Sequence, residues 1–95
     1  MEEGEKRVRE GDLCRSRALE RKGEERRVRR EIQRIEVELE RLYGARREVH
    51  DEVALGLPGS DYRALGDELA RLEGEIGRWE ARWLEESGRL DGLAP

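Results

Sequence analysis

"YRALGDELARLEGEIGRWEARWLEESGRL", residues 62–90, carries a stripe of apolar side chains that decides the shape of the chain. From Tyr62 the stripe runs Leu65, Leu69, Leu72, Ile76, Trp79 and Trp83, meets polar Glu86, and resumes at Leu90 and Leu93. The steps alternate three and four, the a/d spacing of a helix that buries one narrow seam against a partner. Both tryptophans occupy consecutive seam positions. They read as core knobs, hidden against a facing helix, rather than as a platform on which a base stacks.

The first half of the chain obeys the same rule. Val28, Ile32, Ile35, Leu39, Leu42, Arg46, Val49 and Val53 are spaced by alternating fours and threes, with Arg46 the one polar occupant. That guanidinium either snorkels out of the seam or sets its register by pairing with a carboxylate near Asp67 or Glu68. Between the two patterns lies "GLPGSD", residues 56–61. Gly56 can close a helix in the left-handed region, Pro58 cannot extend one, and Ser60 or Asp61 can cap the next. A linker this short makes its two helices antiparallel neighbours. The expected fold is all-α: an antiparallel two-helix coiled-coil hairpin over residues 28–93. Its helices span about 28–55 and 61–92, with the turn at 56–60.

Composition agrees with one elongated element. Of 95 residues, 35% are hydrophobic and 46% charged, too few apolar groups for a layered globular core. Gly66, Gly74, Gly77 and Gly88 fall inside the second helix, each costing about 1 kcal/mol relative to Ala. The expected margin is thin, so self-association or attachment to something larger is anticipated. Backwards from Val28 the seam fails, meeting Glu25, Arg21, Ala18, Cys14, Gly11, Arg7 and Gly4. Residues 1–27 are therefore expected to be a basic, weakly ordered extension, helical or disordered.

The net charge of −4 is unevenly distributed. Residues 1–30 hold eleven Lys/Arg against eight Asp/Glu, whereas residues 31–95 hold nine against sixteen. The cations concentrate in "RSRALERKGEERRVRR", residues 15–30: Arg15, Arg17, Arg21, Lys22, Arg26, Arg27, Arg29 and Arg30. Such a segment suits a phosphate backbone, gripped without regard to base sequence and weakening steeply with salt. The competing reading is a solvated helix face neutralised by Glu20, Glu24 and Glu25.

No catalytic constellation is evident. His50 is the only histidine and lies beside Asp51 and Glu52, as expected of a solvated helix face rather than a ligand or base. Cys14 is alone, which excludes an internal disulfide or cysteine-based zinc site and fits a reducing cytosol. No glycine is followed by the Lys-Ser/Thr of a phosphate loop. No apolar run is long enough for a signal peptide or membrane span. The expectation is a cytoplasmic, non-enzymatic chain with no metal, cofactor, small-molecule substrate or membrane partner.

The pattern "IQRIEVELERLY", a Gly/Pro turn, then "DYRALGDELARLEGEIGRWEARWLEE" resembles the C-terminal coiled-coil domain of ABC-F ATPases of the Uup-like group. Tyr62, Leu65, Leu69, Leu72, Glu73, Arg82, Trp83, Leu84 and Glu85 match its outline, and the likeness covers roughly residues 24–92. The Arg-Trp-Leu-Glu ending is its most distinctive part. The family's ATPase domains are not in this chain, so ATP hydrolysis does not carry over. Trp79 and the acidic balance after residue 31 also depart from the pattern. The resemblance implies a module contacting DNA or ribosomal RNA, with a basic segment preceding the hairpin as residues 15–30 do here. The alternative is a structural or protein-interaction coiled coil that forms a homodimer or docks on a partner protein.

Overall fold

The computed structural model describes the backbone of residues 2–93 and the side chains of residues 17–93. Two helices account for nearly all of it: α1, Glu2–Leu55, and α2, Tyr62–Leu93. They run antiparallel. Arg82 of α2 meets Glu31 of α1, Trp83 meets Glu36, and Glu80 meets Tyr43. The fold is the hairpin anticipated from the heptads.

The core is one line of seam residues. Val28, Ile35, Leu39, Leu42 and Val49 of α1 and Leu65, Leu72 and Ile76 of α2 are buried, with Ile35 and Leu42 fully shielded. All but Val28 form one cluster, against which Leu69, Tyr43, Ala45 and Trp79 pack. Toward the turn the seam opens, leaving Val53 and Tyr62 42% and 50% exposed.

The turn is built by its two left-handed glycines. Gly56, at φ 58°, ends α1, and its N–H donates to the Val53 carbonyl. Leu57 to Ser60 then make a type II turn, with Pro58 second, Gly59 third at φ 87°, and the Ser60 N–H donating to the Leu57 carbonyl. Asp61 caps α2: its Oδ1 accepts the Ala64 N–H at 3.1 Å. Asp61→Ala is expected to lower the stability of the hairpin by about 1 kcal/mol, and Gly56→Ala by about 1–2 kcal/mol. Urea titrations followed by circular dichroism measure both. A Cβ on Gly56 would meet only the Tyr62 hydroxyl at 3.7 Å, so its cost is conformational, not steric.

α1 does not stop where the seam stops. It continues without a break through Gly23 to Glu2. Arg, Lys, Glu, Ala and Leu all favour helix, and no proline interrupts residues 2–55. Leu93 reaches about the level of Glu24, so α1 projects past α2 as a single helix for roughly 30 Å at ~1.5 Å per residue.

Two expectations need correction. Trp83 is not hidden: it is 36% exposed, and its indole N–H donates to Glu36 Oε1 at 3.3 Å. Two paired helices bury a line narrower than an indole, so the ring overhangs one flank while Trp79 stays half-buried. Arg46 makes no ion pair with Asp67 or Glu68. Its guanidinium lies over the Tyr43 ring, 5.2 Å from the centroid, one turn back on the same helix.

Candidate nucleic-acid interface

The basic segment straddles the end of the hairpin. Arg17, Arg21 and Lys22 lie on the projecting part of α1, and Arg26, Arg27, Arg29 and Arg30 lie where α2 begins to cover the seam. All seven are exposed. Arg15 falls outside the residues whose side chains are described.

Helical periodicity sorts these cations by direction. At about 100° per residue, Lys22, Arg26, Arg29 and Arg30 share an arc of about 100° facing away from α2. Arg17 and Arg21 point along the seam direction, where α2 no longer reaches. Arg27 lies on the flank, in a cleft with Glu24, Val28, Glu31, Glu86 and Arg89. Three carboxylates in that cleft make it the least available of the set.

The carboxylates expected to neutralise the segment do so at one position. Arg29 pairs with Glu25 at 2.6 Å. Among the described residues, Arg17, Arg21, Lys22, Arg26, Arg27 and Arg30 form no ion pair. The outward stripe also extends beyond Arg30. Arg30, Gln33, Arg34 and Val37 line a shallow groove of about 360 Å³ on the outer surface of α1. Arg34, held loosely by Glu31 at 3.8 Å, belongs to the same surface. Its i+4 spacing from Arg30 would have revealed it, but the net charge of the sequence turns acidic there.

Elsewhere the polar groups brace the helices. Tyr43 donates its hydroxyl to Glu80 Oε1 at 3.0 Å. That bond, then burial, raises the Tyr43 pKa above the ordinary tyrosine value. The sign follows: the folded state favours the neutral phenol, so the bond's contribution is whole below pH ~10 and is lost as pH rises through the higher folded value. Ultraviolet titration should show a late-ionising phenol, and Tyr43→Phe should remove that component. Glu38 is held below the usual carboxylate range by its hydrogen bond to Arg41, one turn on. His50 is exposed beside Arg46 and Arg47. Among the described residues no group of three His, Cys, Asp or Glu could hold a metal ion, and no helix is long and apolar enough to cross a membrane.

Compared with known protein families, curated proteins and solved structures, the chain matches none.

Proposed function

We propose that this chain is a cytoplasmic, non-enzymatic nucleic-acid-binding hairpin, acting as the resemblance to ABC-F C-terminal domains implies. The outward stripe of Lys22, Arg26, Arg29 and Arg30, continued by Arg34, lies along a DNA or RNA backbone. The observation that carries this reading is that Lys22, Arg26 and Arg30 of the stripe are exposed and make no ion pair among the described residues, while Arg29 and Arg34 are held by Glu25 and Glu31. Exposed guanidiniums with no carboxylate to release bind phosphate at little cost. The rest of the molecule is acidic, which limits contact to this end and sets the orientation on the duplex.

A salt series tests it. Fluorescence anisotropy with labelled duplex DNA and RNA should show binding at about 50 mM salt. For the five stripe cations, Arg34 included, log K should fall with log salt at a slope of about −4.5 on duplex DNA. No binding at the lowest salt, or binding indifferent to salt, rules the reading out.

The second reading, a protein-interaction coiled coil, is favoured by a different observation: an apolar groove left open beside Trp83.

A further inference from the structure

The outward stripe of α1 holds two side chains that carry no charge. Gln33 is the only carboxamide in the chain, which contains no asparagine. It is exposed, and among the described residues its amide has no hydrogen-bond partner. Val37, one turn further, is 64% exposed although it is apolar and β-branched. Both line the shallow groove that Arg30 and Arg34 complete. Toward the turn the same face of α1 becomes acidic, with Glu40, Glu48 and Asp51.

We infer that this face enters the major groove of duplex DNA, where Gln33 and Val37 read base edges and the cations beside them hold the phosphates. The inference rests on the nucleic-acid reading above and adds base recognition to it. At about 100° per residue, Gln33 and Val37 fall inside the arc that Lys22, Arg26, Arg29 and Arg30 span. Arg29 lies along one edge of that arc, and Arg30 and Arg34 lie along the other. A helix in a groove about 12 Å wide needs this order, with cations at the rims facing phosphate and neutral groups between them facing the bases. The groove of duplex RNA is too deep and narrow to admit a helix, so the occupant is DNA.

The two neutral side chains suit an A·T step. A glutamine amide donates an N–H to adenine N7 while its oxygen accepts from the adenine N6 amine. Val37 lies about 6 Å further along the axis, roughly two base steps of 3.4 Å, and offers methyl groups to the C5-methyl of thymine. Nothing nearby obstructs the approach. α2 packs on the opposite side of α1 and stays outside the groove. Arg29 holds Glu25 at 2.6 Å in an exposed pair, which exchanges for phosphate at small cost. Glu36, beside this face, is drawn toward α2 by the Trp83 indole N–H at 3.3 Å. Glu40 ends the contact, so Arg26 to Val37, roughly 16 Å at ~1.5 Å per residue, covers about five base steps.

The test is selection by the full chain from duplex DNA randomised over about 12 base pairs, followed by anisotropy on the enriched duplex and a scrambled one. A motif of about five base pairs containing adenine and thymine should emerge, bound at least ~10-fold tighter than the scramble. Gln33→Ala should abolish the adenine preference at one position while affinity for the scramble stays within ~2-fold. The hairpin is kept, since Gln33 is exposed and Ala favours helix. Val37→Ser should remove a thymine preference about two steps away. Binding with no enriched motif, or a motif that Gln33→Ala leaves intact, overturns this inference and leaves nucleic-acid binding standing. A motif bound equally well as duplex RNA overturns it too. No binding at about 50 mM salt overturns both readings.

Discussion

Leu42→Ala should remove a large share of the hairpin's stability, about 2–5 kcal/mol. Leu42 is fully shielded and belongs to a cluster with Ile35, Leu39, Val49, Leu65, Leu72 and Ile76. Two helices cannot collapse around a missing side chain without giving up the contact that defines them, so the upper part of that range is expected. Marginal stability of about 0.05–0.15 kcal/mol per residue is ordinary for a domain. A hairpin with eight buried hydrophobic residues among those described sits at the low end, because small cores bury a smaller fraction of their surface. Urea unfolding should show the midpoint falling to a small fraction of its original value. Leu19→Ala, at a residue 69% exposed on the projecting part of α1, should change stability by less than ~0.5 kcal/mol. Equal effects of the two substitutions would mean that the seam is not the core.

Replacing Arg26, Arg27, Arg29 and Arg30 together by Gln should reduce affinity for duplex DNA at low salt by about 10²–10³-fold and flatten the salt slope by about three. Three of these residues lie on the outward stripe, while Arg27 shares its cleft with Glu24, Glu31 and Glu86. Arg27→Gln alone is therefore expected to matter least. Glutamine keeps helix propensity close to that of Arg, so the hairpin should stay folded. Anisotropy titrations at matched salt read out both quantities. Affinity unchanged in the quadruple variant would transfer any binding to other cations, Arg46 and Arg47 first among them.

Much of the architecture was legible in the sequence, and the reason is geometric. The three-four spacing of Ile35, Leu39, Leu42, Leu65, Leu72 and Ile76 reports burial directly, because a two-helix seam leaves no other place for those side chains. Gly56 and Pro58 mark the turn since few backbones tolerate their conformations there. Periodicity does not say how wide the seam is. Trp83 occupies a seam position yet stays 36% exposed, because an indole is larger than the line it lies on. Nor does periodicity choose among partners of a long side chain. Arg46 was as well placed for Asp67 or Glu68 as for Tyr43, and proximity on its own helix decided.

The basic segment shows the same limit. Composition located the cations, but ion pairing depends on rotamers and on where α2 ends. Glu25 takes Arg29, while Glu20 and Glu24 take none of the segment's cations among the described residues. The cross-helix Arg82–Glu31 bridge was equally hidden, since it requires the register of the hairpin to be known within a residue.

Spin labels at Gln33 and Glu85, both exposed, with Cys14 replaced by Ser, test the hairpin most directly. The sample should contain an excess of unlabelled chain, so that only distances within one molecule are read. Helices packed at 8–10 Å between axes place the two labels roughly 20–30 Å apart. A separation above ~70 Å, the span of an unfolded-back helix at ~1.5 Å per residue, would contradict the antiparallel seam itself.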